Sequence, residues 1–213
     1  MKKLFFIVFL VLIVLSCSSM EAKELSIVNE KEKKFLLDLV KRTLDEYLKN
    51  GSMPKIDEEE LTQTIKEDYG CFVTLGLDGK LRGCIGYLQA IKPLYKAVMD
   101  NAINAATKDP RFHPVKYEEL KNIKVEISVL SSLKELKFDS PDDLLNKLVP
   151  LRDGVILKIG GSNATFLPQV WGGLSNKTDF LEQLSLKSGN SPDAWKEKGV
   201  KVYTYFADVF GEE

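Results

Sequence analysis

Arg82 and Cys84 stand two positions apart inside Leu81-Arg82-Gly83-Cys84-Ile85-Gly86, in a stretch that otherwise reads as a β-strand. Glycine weakens a strand and marks a bulge or a close backbone approach, so Gly83 and Gly86 would leave bare surface around the thiol. Residues two apart on a strand share a face, and a guanidinium beside a thiol favours the nucleophilic thiolate. The chemistry this spacing points to is attack by Cys84 on an acyl or similar electrophilic group. Arg82 would stabilise negative charge, and Glu126 would serve as acid or base. The competing reading makes Cys84 a small packed hydrophobe, with Arg82 in an ion pair to Asp109 or Glu126.

The chain contains one histidine. A Ser-His-Asp or Cys-His arrangement would have to use His113, which lies between prolines in Asp109-Pro110-Arg111-Phe112-His113-Pro114 and reads as a surface or capping residue. Cys71, Cys84 and His113 lack CxxC or HExxH spacing, so no metal site is expected. Gly160-Gly161-Ser162-Asn163 reads as a turn and not a phosphate loop, and no cofactor is expected. With 30 basic and 31 acidic residues in 213 and a pI near 6.0, no basic field favours nucleic acid or an anionic membrane surface.

These residues need elements to hold them. Segments 69–77 and 80–89 alternate around Asp78-Gly79, a strong hairpin signal. A plain two-residue loop would set Cys71 opposite Gly86 and Cys84 opposite Val73. The two thiols would then be diagonal neighbours about 7–8 Å apart, beyond the disulfide span of about 4.4–6.8 Å. A one-residue bulge would move them to opposite faces, so both are expected to be free. Segment 123–130 alternates strictly and puts Lys124, Glu126 and Ser128 on one face. Helical periods occur at 24–49, stopped by Gly51, and at 93–108, 141–148 and 179–188, with Thr178 near the cap of the last. Segment 54–68 is a connector and 117–120 a short helical turn. Strands are expected at 154–159, 164–167 and 200–209.

The N-terminus reads as a targeting element. Met1-Lys2-Lys3 precedes 12 apolar residues, Leu4 to Leu15, followed by Ser16-Cys17-Ser18-Ser19. Spanning a bilayer takes about 20 apolar residues, so the run is a signal-peptide core. Val14-Leu15-Ser16-Cys17 resembles a bacterial lipobox with Cys17 as the lipidated residue; the alternative is a plain secretory signal. The expected organisation is a signal peptide over 1–16, a tether over 17–30 and a folded domain over 31–213. The protein would be a membrane-anchored lipoprotein outside the cytoplasm, held by acyl chains alone, or else secreted or periplasmic.

Four motifs in order carry a resemblance: the hexapeptide at 81–86; Ala105-Ala106 with Asp109-Pro110-Arg111-Phe112; Val125-Glu126-Ile127-Ser128-Val129-Leu130; and Phe166-Leu167-Pro168-Gln169-Val170-Trp171. Together they resemble the AMMECR1 domain family. The likeness is closest to the bacterial members called protein A of the AmmeMemoRadiSam system, whose genes accompany a Memo-like protein and a radical-SAM protein. The resemblance implies an α+β fold with an antiparallel sheet flanked by helices, a smaller second lobe and a cleft between them. It implies no established reaction. The site positions it carries over are Arg82, Gly83, Cys84, Gly86, Asp109, Arg111, Glu126, Pro168 and Gln169. His113 departs from a more usual proline, and Ser185 stands where many relatives have cysteine. The alternative function is a lipid-tethered module that binds a small molecule, peptide or protein, with Arg82 and Arg111 as carboxylate clamps and Trp171 as an aromatic wall.

Overall fold

The computed structural model describes residues 26–212. The signal-peptide and Cys17 readings fall on residues 1–25 and lie outside the described residues. Helix α1, Glu30–Asn50, starts where Asn29 accepts from the backbone N–H groups of Lys31 and Glu32 while Glu32 accepts from that of Asn29. It ends at Gly51, whose φ of 72° suits a residue without Cβ. The helix therefore begins later than the periodicity over 24–49 implied, because the capping asparagine and not the apolar pattern sets the first turn. Ahead of it, Asp208 accepts from the backbone N–H groups of Ile27 and Val28, so the folded part already includes Ser26 to Val28. The connector holds a short helix, α2, Gln63–Lys66.

The first sheet contains β1, Gly70–Leu77; β2, Lys80–Tyr87; β3, Ile123–Leu130; and β8, Ala207–Gly211, in the order β2-β1-β3-β8, all antiparallel. Asp78 and Gly79 both have positive φ, as a two-residue hairpin turn requires. Helix α3, Leu94–Thr107, lies on β1 and β2 and packs against α1. Cys71, Val73, Leu75, Val125, Ile127 and Val129 face this helical layer and are buried in its core.

A second sheet, in the order β4-β7-β5-β6, is formed by β4, Lys134–Leu136; β5, Gly154–Ile159; β6, Ser162–Phe166; and β7, Lys201–Tyr205. Helices α4, Pro141–Lys147, and α5, Lys177–Lys187, accompany it. The fold is thus α+β. Three local expectations change. The 160–163 turn shortens to Gly160-Gly161, and Asn176 instead of Thr178 caps α5. The strand expected over 200–209 breaks at Phe206 into β7 and β8, which belong to different sheets. There the Ser131 N–H donates to the Phe206 carbonyl and the Phe206 N–H to Ser131 Oγ. The β3-to-β4 and β7-to-β8 crossings therefore run side by side, and pairing with a partner strand that changes sheets forces the break. β4 carried no sequence signal, being three residues long.

Candidate functional site

The hairpin register contains the bulge. Leu77 faces Lys80 and Gly76 faces Leu81, but Leu75 faces Gly83 and Thr74 faces Cys84, leaving Arg82 as the extra residue. Cys84 is therefore opposite Thr74 and not Val73. A Cβ on Gly83 would come within 2.2 Å of the Ala105 carbonyl oxygen in α3, so only glycine fits under the helix there. The bulge turns Gly83 inward and Cys84 outward. Cys71 stays inward, and the two free thiols occupy opposite faces.

Arg82 does not attend the thiol. Its Nε and Nη2 bind the two oxygens of Glu119 at 2.8 and 3.1 Å, and its Nη1 and Nη2 donate to the carbonyls of His113 and Pro114. This guanidinium holds the Glu119 carboxyl below its usual range. The ion pair expected to Asp109 or Glu126 is thus made to Glu119. Glu119 also accepts from the Lys116 backbone N–H three residues earlier, which is one half of a capping box; Lys116 has no acceptor to supply the other half, so the sequence carried no such signal. His113 is an exposed loop residue whose carbonyl serves Arg82.

The cation bonded to Cys84 is Arg111. Asp109, buried, accepts from the Cys84 N–H at 2.8 Å and from the Arg111 Nε and Nη2 at 2.9 and 2.6 Å, while Arg111 Nη2 also donates to the Cys84 carbonyl at 3.2 Å. The Arg111 side chain first, then the backbone N–H groups of Cys84 and Arg111, holds the Asp109 carboxyl far below the carboxylate range. β2 is an edge strand. Asp109 and Arg111 satisfy both backbone groups of Cys84 that would otherwise be open to another strand. The Arg111 guanidinium is raised chiefly by Asp109, with the nearby Cys84 thiol adding to it.

On the outer face, Thr74 Oγ1 donates to Cys84 Sγ at 3.3 Å. Glu126 is the residue opposite Thr74 on β3 and is exposed. Cys84, Thr74 and Glu126 therefore form one cross-strand row, with the thiol and the carboxylate two strand spacings, about 10 Å, apart. In the next row, Phe72 lies against Gly86, whose Cβ would come within 2.4 Å of the ring. Ser128 beside it receives Gln169 Nε2 of the second sheet's unit at 3.5 Å. The structure thus brings together Cys84, Gly86, Asp109, Arg111, Glu126 and Gln169 on or around one face, sends Arg82 away and leaves Gly83 inside. Pro168 is buried at the start of the turn that carries Gln169. Sequence reasoning missed Thr74, because its contact depends on the bulge. Trp171 is no groove wall: it is 1% exposed, stacks on Phe180 at 3.6 Å and donates to the Asp153 carbonyl. Ser185 is likewise buried, bonded to the Leu181 carbonyl.

The likeness to other proteins runs along most of the chain. A family model described as AMMECR1 matches residues 37–210. The chain belongs to the AMMECR1 family. A protein of Methanopyrus kandleri is 39% identical over 191 residues, covering 86% of this chain and 89% of that protein. One of Pyrococcus abyssi is 41% identical over 190 residues, covering 84% and 89%. The crystal structure of an uncharacterized protein from Pyrococcus horikoshii superimposes with a TM-score of 0.79 at 35% identity, covering 88% of this chain and 95% of that one. None of these AMMECR1 relatives has a name that states an activity. Among the described residues of this family member, no helix is long and apolar enough to cross a membrane.

Proposed function

We propose that this AMMECR1 domain protein is an enzyme in which Cys84 is the nucleophile of a covalent step. The observation that carries this reading is the asymmetry at Cys84. Asp109 and Arg111 bind its backbone on the edge side and the glycines beside it are used in packing, yet its thiol stays partly exposed under a hydroxyl donor, with a guanidinium bonded to the carbonyl of the same residue. Groups placed in advance on a sulfur stabilise charge that develops there during attack. Exposed Glu126, one residue beyond Thr74 in the same row, is in this reading the group that exchanges protons with a bound substrate. Gly86, Phe72 and Gln169 bound the space beside them. The binding-module alternative loses its aromatic wall with the burial of Trp171 and its Arg82 clamp to Glu119.

The two thiols supply their own comparison. Burial pushes the Cys71 thiol up to about 12, and Asn101 donates to it. A thiol reagent applied to the folded protein is expected to label Cys84 and spare Cys71, as read by peptide mass, and Thr74→Val should slow labelling of Cys84 about threefold through loss of one modest hydrogen bond. Protection of Cys84 until the protein unfolds would sink the nucleophile reading and return the residue to packing.

We read the N-terminus as an export signal with lipidation at Cys17, and the AmmeMemoRadiSam likeness as an association with a Memo-like and a radical-SAM protein. Purification of the native protein from membranes, with mass spectrometry of its N-terminus and of co-eluting chains, tests both. A lipidated Cys17 as the first residue is the expected result; a soluble chain with an intact N-terminus and no such companions would overturn both.

A further inference from the structure

We propose that the free edge of the Arg111 guanidinium receives a carboxylate carried beside the electrophilic carbon that Cys84 attacks, so that the substrates of this site are small carboxylate-bearing electrophiles. This rests on Cys84 being a nucleophile.

Arginine has five N–H donors in a fixed plane. In Arg111, Nε and one N–H of Nη2 go to Asp109, and the other N–H of Nη2 goes to the Cys84 carbonyl. Among the described residues the two N–H groups of Nη1 donate no hydrogen bond, while the guanidinium lies over the Phe112 ring at 5.5 Å and near the Cys84 thiol. The Arg111 side chain is 53% exposed whereas that of Asp109 is 2% exposed, so the pair is oriented with its anion underneath and its cation toward solvent. The carboxylate below fixes the guanidinium, and the same guanidinium is bonded to the residue that bears the thiol. In this proposal an anion on Nη1 is held next to Cys84, within reach of the side chain that bears the thiol.

Arg82 offers no such edge. Four of its five N–H groups are taken by Glu119, His113 and Pro114, and its side chain is 16% exposed. Glu126, which shares this face of β3 with Lys124, lies about 10 Å from Cys84 across two strands. Its carboxylate disfavours an anionic group directly above it, whereas Arg111 at the β2 edge favours one. In the covalent step the Cys84 thiol gives its proton to solvent and its sulfur forms the new S–C bond. The leaving group departs with the electron pair of the broken bond.

Iodoacetate and iodoacetamide differ in the carboxylate and both lose iodide, so the ratio of their rates cancels the intrinsic nucleophilicity of the thiol. The ratio at Cys84, measured on the folded protein at low salt by peptide mass, is expected to exceed that of glutathione about fivefold, the effect of one close charge pair in water. Salt at about 0.5 M should remove the excess in the unaltered protein, where folding is not in question. Arg111→Lys should keep part of the excess and Arg111→Gln should lose it. Labelling by both reagents in the glutathione ratio would overturn the carboxylate inference and leave the nucleophile reading standing. Labelling by neither would overturn both.

Discussion

Gly83→Ala is expected to lower stability by about 3 kcal/mol, the upper part of the range for overpacking. The added carbon would come within 2.2 Å of the Ala105 carbonyl oxygen and 3.0 Å of its carbon, both backbone atoms of α3 that no side-chain rotation can move. Relief requires α3 to rise from β2 or β2 to lose its bulge, and losing the bulge would turn Cys84 inward. The variant should therefore show two effects together: a melting temperature lower by roughly 6–12 °C and altered access of reagent to Cys84. Chemical denaturation and thiol labelling of the same sample read both. An unchanged melting temperature would mean that the close approach of α3 is not what fixes the hairpin register.

Asp109→Ala is expected to cost about 3 kcal/mol, the lower end for breaking a buried ion pair. The lower end applies because Arg111 is half exposed and recovers water, while the Cys84 N–H at the sheet edge loses its acceptor. Its pH dependence has a definite sign. The folded-state value of the Asp109 carboxyl is depressed, so its contribution is fully present above the unfolded value of about 3.9 and disappears as pH falls toward the folded value. Glu119, lowered by Arg82, acts in the same direction. Denaturant midpoints of the unaltered protein and of Asp109→Asn should thus differ most near neutrality and draw steadily together as pH falls below about 3.9, meeting only near the much lower folded value. Parallel curves would show that Asp109 does not carry the acid sensitivity. The same variant should also loosen the segment from Asp109 to Glu119, which covers the β2 edge through Asp109, Arg111 and Arg82.

That covering changes the meaning of the hexapeptide. Gly83 admits α3, Gly86 admits Phe72 and Arg82 ties down the loop through Glu119, so three of its distinctive residues are accounted for by assembly. Cys84 is the residue among them whose side chain assembly leaves over, which is why the proposed chemistry is placed on it.

Signals that act over a few residues were legible in the sequence. The Asp78-Gly79 turn, the alternation of Ile123–Leu130 and the glycine stop at Gly51 each follow from backbone sterics or burial on one face, which neighbouring residues suffice to specify. The α+β class and the unbridged state of Cys71 and Cys84 followed from them. What the sequence left open were choices between arrangements with the same local pattern. An unbulged hairpin and one bulged at Arg82 have identical alternation, and only the approach of the Ala105 carbonyl to Gly83 selects the second. That selection put Thr74 on the thiol and Arg82 on Glu119. It left Arg111, held by Asp109 from a loop 25 residues beyond Cys84, as the cation of the site. The break at Phe206 was decided in the same way, by pairing with Ser131 across 75 residues. Tertiary contacts decided these points because the competing local conformations differ little in energy, whereas a backbone clash or an unpaired buried group costs several times more.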